Sequence, residues 1–510
     1  MSLATVRSVA LHGIEGQLIE VEAFISAGVP QFHVVGLPDA TVSEARDRVR
    51  AAIVNAHEAW PQMKITVGLS PASVRKAGSG FDLAIATAIL IAHDRVPPDL
   101  VRESVLLGEL SLDGRVRAVA GVLPSVLAAV RRGIERVFVP ASMAAEARLV
   151  PGAQVFGIAT LTQLIALMRG EDDPDPGLFA VDLSDLEDEP PGPDLQQVVG
   201  QQEGRRAVEI AAAGGHHVLM VGSPGCGKTM LAERLPGLLP PLTTDDALEV
   251  SAIHSVAGVL PAGRPLLRRP PFRAPHHTAS TAALVGGGSA VIRPGAASLA
   301  HRGVLFLDEA AEFASGTLDA LRQPLESGHI VIDRAASRAT YPSRFTLVLA
   351  SNPCPCARAS GQGDEACECT RVVRRRYLGK LSGPLLDRVD LRLRLLPVSR
   401  ADLLDGVVRG EPSAVVAARV SAARDRALAR LKGTPWTSWG EVPGTDVRQH
   451  WHPPLASMGP LNHEADRGRI TARGMDRVFR VAWTLADLDG SDVPEERHVK
   501  EAVELRQGIA

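Results

Sequence analysis

The stretch Gly222-Ser223-Pro224-Gly225-Cys226-Gly227-Lys228-Thr229 limits what this chain can fold into more than any other. It fits the Gly-x-x-x-x-Gly-Lys-Thr template of a phosphate-binding loop at every position. Just before it, His217-Val218-Leu219-Met220-Val221 reads as a short apolar strand. Just after it, Lys228 to Leu239 places Met230, Leu231, Leu235 and Leu238 at helical spacing. The glycines allow backbone N–H groups to close around phosphate oxygens, and the helix N-terminus adds its positive dipole end. Lys228 would reach the β/γ-phosphates, and the Thr229 hydroxyl would hold Mg²⁺. A plain glycine-rich turn before a helix is the competing reading, and a chance match usually lacks these flanks. The expected cofactors are a nucleoside triphosphate and Mg²⁺.

The other half of such a site lies downstream. Gly303-Val304-Leu305-Phe306-Leu307 is the continuous apolar run of a buried parallel strand, and it ends in Asp308-Glu309. Ligands bind beyond the carboxyl ends of such strands. Asp308 can hold Mg²⁺ through water, and Glu309 is placed to orient or deprotonate the attacking water. Two acids after a strand mean little alone, but paired with the upstream loop they complete a Walker B. A third strand, Phe345 to Ala350, ends at Ser351-Asn352. Lying between the other two strands, Asn352 at its tip could hydrogen-bond that same water.

Composition bounds the rest. A chain of 510 residues allows two to four domains at ~100–200 residues each. No stretch has the layout of a signal peptide, and the apolar runs are too short to span a bilayer. Four of the five cysteines fall between Cys354 and Cys369, which is no disulfide framework, so a cytoplasmic address without membrane contact is expected. The formal charge of −3 is unevenly placed. Residues 171–189 hold Glu171, Asp172, Asp173, Asp175, Asp182, Asp185, Glu187, Asp188 and Glu189 and no base, and without them the charge becomes +6. That run predicts a solvated linker over 171–193, and the basic remainder permits a nucleic-acid partner. The expected division is 1–170, an α/β domain; 194–400, a P-loop core; and 401–510, helical. In the first, Val6–Leu11 and Gln17–Ala23 read as paired strands, and Ser43–Asn55 as a helix with Ala45, Val49, Ala52 and Ile53 on one side. Lys64–Val67 and Val137–Pro140 read as further strands, and Phe81–Ala92 and Pro124–Arg132 as apolar helices.

Gly36-Leu37-Pro38-Asp39-Ala40, Leu69-Ser70-Pro71-Ala72, Gly80-Phe81-Asp82-Leu83-Ala84 and Gly108-Glu109-Leu110-Ser111 resemble the N-terminal domain of ComM/YifB proteins, also called magnesium-chelatase-like. The resemblance implies a fold similar to the peptidase domain of Lon proteases. Those proteases use a Ser–Lys dyad, but here the matching positions are Gly80 and Leu123, with Ser79 offset by one. Without both members there is no activated nucleophile, so a scaffold rather than a protease is expected.

In the core, the same resemblance implies an AAA+ ATPase with Asn352 at the sensor 1 position. Gly328–Arg334 and Thr340–Pro342, flanking a short turn, predict a hairpin ahead of sensor 1, as in MCM helicases and magnesium chelatases. A second inserted loop is expected at Leu284–Ala296. Because both insertions face the pore in the helicases, Arg293, Arg334 and Arg338 become candidate DNA contacts, against the alternative of solvated charges. His276-His277, in a Gly/Pro/Arg-rich stretch without partner ligands, read as hydrogen-bonding or DNA-contacting groups rather than metal ligands. Cys354-x-Cys356 and Cys367-x-Cys369 flank a ten-residue loop and supply four soft ligands suited to Zn²⁺, with reduced structural thiols as the alternative. Arg371, Arg374, Arg375, Arg376 and Lys380 form a basic run able to face a phosphate backbone. Leu385-Leu386-Asp387-Arg388-Val389-Asp390 is similar to the family's Leu-Leu-x-Arg-x-Asp segment. That makes Arg388 the finger reaching a neighbour's γ-phosphate and implies a homo-oligomer, a ring of six.

Beyond 401, helices are expected at Ser413–Lys432, Thr471–Leu488 and Pro494–Arg506, with 433–460 irregular. Arg473 matches the sensor 2 position. Two functions fit: a ring-forming, ATP-driven DNA motor acting in branch migration during recombination and natural transformation, or an ATPase remodelling a protein partner as chelatase motor subunits do. The cysteine pairs and the Lon-like front domain favour the first, since chelatase motor subunits lack both.

Overall fold

The computed structural model describes residues 2–172, 190, 192–261, 263–288, 291–334, 337–357, 367–398 and 410–508. Most of the predicted acidic linker therefore lies outside the described residues. So do Ala335 and Ala336 at the hairpin turn and the greater part of the loop between the cysteine pairs.

The front of the chain is built on a mixed seven-stranded sheet. Its order is Gln31–Val35, Lys64–Ser70, Glu15–Ser26, Ser2–His12, Ser104–Leu106, Arg136–Pro140, Gln154–Ile158. Ser2–His12 and Glu15–Ser26 pair antiparallel with Val6 opposite Val21, as their alternation predicts. The amphipathic helix, Ala45–Asn55, buries Ala45, Val49, Ala52 and Ile53, the four residues read from the spacing. Asp82–Ala92 is buried nearly all round and lies against the two long strands. Its buried Asp82 accepts two bonds from Arg48, at 2.6 and 3.0 Å, which compensates the burial of a charge in an otherwise apolar helix.

The second sheet is five parallel strands ordered Phe272–Arg273, Val304–Leu307, Thr346–Ser351, Val218–Gly222, Leu391–Leu395. The Asn352 strand thus lies between the strands carrying the phosphate loop and Asp308-Glu309. All three are apolar and buried along their length, so their shared C-terminal edge is the only place where their polar tips can meet. The antiparallel hairpin His329–Arg334/Ser337–Pro342 stands just before the central strand.

Two local expectations change. The helix after the phosphate loop runs only from Lys228 to Arg234 and tightens to a 3₁₀ turn, Leu235–Leu238, because Pro236 has no N–H to continue the ladder. Residues 433–460 are not irregular. They contain the helix Gly444–His450 and two 3₁₀ turns, organised around Trp439. That indole is fully buried, stacks on Trp483 with centroids 5.2 Å apart, and donates from Nε1 to Asp487 at 2.7 Å. The surrounding helices Ser413–Arg430, Ala472–Asp489 and Glu496–Gln507 share one apolar core with the sheet.

The front domain sits on the helix Thr244–Ala257. Gly121 N donates to Ser255 O at 3.1 Å, and Ala252 joins the apolar cluster of Val122, Val126 and Val139. The buried Glu146 carboxylate accepts from Leu123 N at 2.9 Å and from the Ser255 hydroxyl. No helix among the described residues is long and apolar enough to cross a membrane.

Candidate nucleotide-hydrolysis site

The phosphate loop leaves the end of Val218–Gly222 and turns through two left-handed glycines, Gly225 at φ 79° and Gly227 at φ 95°. A side chain at Gly227 would be strained in that conformation, and Gly227 caps the helix that Lys228 and Thr229 open. Lys228 is largely buried. Its Nζ donates to Gly222 O at 2.7 Å and Ser223 O at 3.0 Å, and lies 3.3 Å from Asn352 Oδ1. Cys226 is buried beneath the loop with Sγ 3.9 Å from that ammonium. The Thr229 hydroxyl donates to Asp308 Oδ2 at 3.0 Å. Folding therefore brings Lys228, Thr229, Asp308 and Asn352 together from three different strand ends. A hydroxyl and a carboxylate converging beside an ammonium are the oxygen donors that Mg²⁺ and a triphosphate need.

Glu309 follows Asp308 in a left-handed conformation, φ 50°, with its N–H bonded to Asp308 Oδ1 at 2.9 Å. A non-glycine residue there costs roughly 1–2 kcal/mol, a strain that clusters at functional sites. Its Oε2 lies 3.0 Å from His277 Nδ1. The sequence reads His276 and His277 as hydrogen-bonding or DNA-contacting groups, and nothing local to them marks Glu309 as the partner. The two rings lie 4.1 Å apart, and His276 Nδ1 contacts Thr278 Oγ1 at 2.9 Å. Gln201 is a second residue the sequence did not single out. Its Nε2 donates to Cys226 O at 2.8 Å and Leu396 O at 2.6 Å, tying the loop to the edge strand.

Arg388 and Arg473 are not brought to this pocket. Arg388 donates to Pro384 O at 2.5 Å and pairs with Glu326. It lines an open cleft with Thr281, Val285, Asp319, Glu326 and Ile332, in which no phosphate-loop residue, Asp308 or Glu309 takes part. Arg473 is exposed, 3.7 Å from Asp387, immediately next to Arg388 in the chain. The Arg388 guanidinium thus belongs to a cleft apart from the chain's own phosphate loop, and Arg473 approaches its chain neighbour Asp387.

The two insertions lie against each other. The Leu284–Ala296 loop closes through Arg293 N to Gly287 O at 2.8 Å and Gly287 N to Arg293 O at 3.1 Å. The buried Tyr341 of the hairpin donates to Ile292 O at 2.8 Å. Arg334 and Arg338 stand exposed on the hairpin, Arg338 Nε 3.4 Å from Asp333, itself exposed.

Cys354, Cys356, Cys367 and Cys369 place all four sulfurs within 4.8 Å of one another, and none forms a disulfide. Three separations are 3.2, 3.5 and 3.4 Å. Four thiolates around one Zn²⁺ at ~2.3 Å would stand about 3.8 Å apart, so the cluster fits the ion with small adjustments. Backbone donation at Cys369, helped by Cys356, Cys354 and Arg374, brings the Cys367 thiol down to about 7, toward the thiolate a metal requires.

A parallel sheet with the polar-tipped strand between the two acid- and phosphate-binding strands, and a hairpin before it, defines an AAA+ protein of the magnesium-chelatase type. The magnesium chelatase subunit ChlI family matches residues 194–403, subunit ChlI of Mg-chelatase residues 21–143, and the ChlI C-terminal family residues 410–506. The chain is 51% identical to Mycobacterium tuberculosis protein Rv2897c, over 99% of each chain. It is 41% identical to Escherichia coli YifB over 99% of this chain and 97% of that one. Against the Haemophilus influenzae competence protein ComM it is 39% identical, over 99% and 98%. This chain belongs to the ComM/YifB family. Shorter likenesses reach an archaeal Lon protease, 42% identical over 80 residues, and the Drosophila melanogaster DNA replication licensing factor Mcm6, 26% over 223 residues. The family implies ATP and Mg²⁺ as cofactors.

Proposed function

We propose that the protein is a ring-forming ATPase that moves along branched or single-stranded DNA, a branch-migration motor of the kind used in recombination and natural transformation. The observation that carries this reading is the docking of two arginine-bearing insertions: the hairpin holding Arg334 and Arg338 is bolted by Tyr341 to the loop holding Arg293. That pair is separate from the hydrolysis site yet sits on the strand and helix that lead into it. The likeness to a replication licensing factor and to a competence protein supports DNA over a protein substrate.

In this mechanism Lys228 turns from the Gly222 and Ser223 carbonyls to the phosphates. Thr229 and Asp308 would hold Mg²⁺, which would supply positive charge against the phosphate oxygens. Glu309 and Asn352 orient the attacking water, with His277 setting where the Glu309 carboxylate rests. Arg388 and Arg473 serve the neighbouring protomer, most simply in a closed ring of six, so each complete site is shared by two copies. The test is strand displacement on a forked or four-way DNA substrate by the wild type and Lys228→Ala. Loss in the variant is the expected result, whereas equal activity of the two removes ATP-driven translocation.

A further inference from the structure

The helix Arg371–Leu378 belongs neither to the thiol cluster nor to the hydrolysis site, but it is fastened to both. At its start, Thr370 caps it by accepting from Val373 N at 3.4 Å, one residue after Cys369. In its first turn, the Arg374 guanidinium lies near enough to Cys367 to help lower its thiol. At its other end Tyr377 is buried beside Glu312 and Ser351, burial and Glu312 raising its hydroxyl, and Lys380 Nζ lies 5.5 Å over its ring and 3.6 Å from Glu312 Oε2. Glu312 closes the turn that begins at Glu309, with Glu312 N donating to Glu309 O at 2.7 Å. Ser351 immediately precedes Asn352 and lies fully buried. One aromatic side chain therefore lies beside Glu312 and Ser351, the neighbours in the chain of the two water-orienting groups.

The outer face is different in character. Arg371, Arg375 and Arg376 are exposed, and among the described residues none has a carboxylate partner. The helix itself carries no acid. Arg371 and Arg375 are one turn apart, where like charges repel and destabilise a helix. Arg375 and Arg376 do sit in the last turn, where the helix dipole favours cations, but Arg371 in the first turn opposes it. Such a helix gains from a polyanion laid across it. Guanidiniums recognise phosphate oxygens by paired N–H donors, independent of base identity.

We propose that this thiol-anchored helix is a second nucleic-acid contact, taking the sugar–phosphate backbone of a DNA strand on Arg371, Arg375 and Arg376, and that Tyr377 relays its occupancy to the Glu309 turn and Asn352. The inference rests on the DNA-motor reading and adds to it a contact outside the two insertions. It also gives the cysteine cluster a purpose: to hold a short helix of unpaired charge in place.

The experiment uses the full-length protein with Arg371→Glu, Arg375→Glu and Arg376→Glu combined, and separately Tyr377→Phe. Binding of a fluorescent single-stranded oligonucleotide is followed by anisotropy across a salt series, and ATP turnover is measured with and without that DNA. Because all three arginines are exposed, the triple variant keeps the wild-type thermal transition. Its affinity should fall at least tenfold, and the slope of log K against log salt should drop by about 2, from roughly 0.7 for each of three lost single-strand phosphate contacts. Tyr377→Phe should bind DNA like the wild type but lose the stimulation of turnover. A triple variant with wild-type affinity and slope, while the wild type binds DNA, overturns the contact and leaves the motor reading standing. Undiminished stimulation in Tyr377→Phe overturns the relay. A wild type that binds no DNA overturns the motor reading and this inference with it.

Discussion

Asp390 is the residue on which the helical C-terminal part is docked to the sheet, and its replacement is the most quantitative test of the fold. The carboxylate is 1% exposed. It accepts from Arg477 Nη1 at 3.0 Å and from His217 N at 3.2 Å, and lies 3.4 Å from His216 Nδ1. His216 in turn meets Thr484 Oγ1 at 2.7 Å, so one buried acid joins the phosphate-loop strand, the Arg388 segment and the helix Ala472–Asp489. Burial by itself would push this carboxyl up, but Arg477 and the hydrogen bond from His216 more than reverse it and hold it well below the usual carboxylate range. A depressed carboxyl contributes stability that is present above its unfolded value near 3.9 and is lost only as pH falls through the lower folded value. At neutral pH the whole contribution is in force. Asp390→Ala leaves Arg477 beside the buried Arg480 and Arg506 without the carboxylate it bonds, which should cost about 3–5 kcal/mol. Asp390→Asn keeps an acceptor but loses the charge-assisted bonds, about 1.5–3 kcal/mol. On a core of this size about 3 kcal/mol lowers the thermal midpoint by roughly 6–12 °C, readable by calorimetry at pH 7. Adding Arg477→Leu to Asp390→Ala should recover part of the loss by removing the stranded charge. A midpoint within 2 °C of wild type for Asp390→Ala, or no recovery in the double variant, would refute the argument.

Three further outcomes follow from the same geometry. Lys228→Ala and Arg388→Ala should each abolish ATP turnover, yet mixed rings of the two should regain about a quarter of it, because a phosphate loop from one can meet a finger from the other; no regain would place Arg388 outside the shared site. Purified protein should carry close to one Zn²⁺ per chain by metal analysis, lost in Cys356→Ser, and a metal-free wild type would leave the cysteines as structural thiols. Burial lowers His217 from 6.5 to about 4, and Leu347 N donates to its Nδ1 at 3.0 Å, which requires the neutral ring. A base whose folded value is depressed costs stability as pH falls from the ordinary value to the folded one, so urea midpoints should decline between those two values and His217→Gln should flatten the decline.

The parts of the site that sit on continuous motifs were legible in the sequence. The phosphate loop, Asp308-Glu309 and the tip residue Asn352 each follow an apolar strand, and parallel-sheet topology leaves such tips only one edge on which to meet. Side-chain partners supplied from distant loops were not legible: nothing local to His277 or Gln201 marks a contact with Glu309 or Cys226. The front domain shows the same division. The amphipathic Ala45–Asn55 announced its buried face, whereas Ser104–Leu106, three buried residues long, is too short to show any period. In 433–460 the prolines and tryptophans hid a packed unit, since Trp439 earns its place only by stacking on a helix that comes more than forty residues later. Arg473 is the subtlest case. Its position along the chain fits the family's lid helix, but only the fold shows it beside Asp387, the residue before Arg388.

Among the described residues the front domain meets the ATPase core at the helix Thr244–Ala257 and at the hairpin. On the helix the contact is Ser255; at the hairpin the turn at Gly13 is set against Thr340. Leu123 is buried and its N–H is held by Glu146, which also holds Ser255. These bonds join the front domain to the core, and we read the domain as a brace for the hairpin. Gly13 tests that reading. It lies at φ 69°, and a Cβ there would fall 2.6 Å from the Thr340 carbonyl oxygen, a backbone atom that cannot swing aside. Gly13→Ala pays roughly 1–2 kcal/mol for the left-handed conformation and must in addition push the hairpin away. Amide exchange should then quicken across His329–Pro342 while the strands Ser2–His12 and Glu15–Ser26 stay protected. DNA-stimulated turnover should fall with no change in ATP affinity. Unchanged exchange in the hairpin would mean that the two domains lie side by side without bearing on one another.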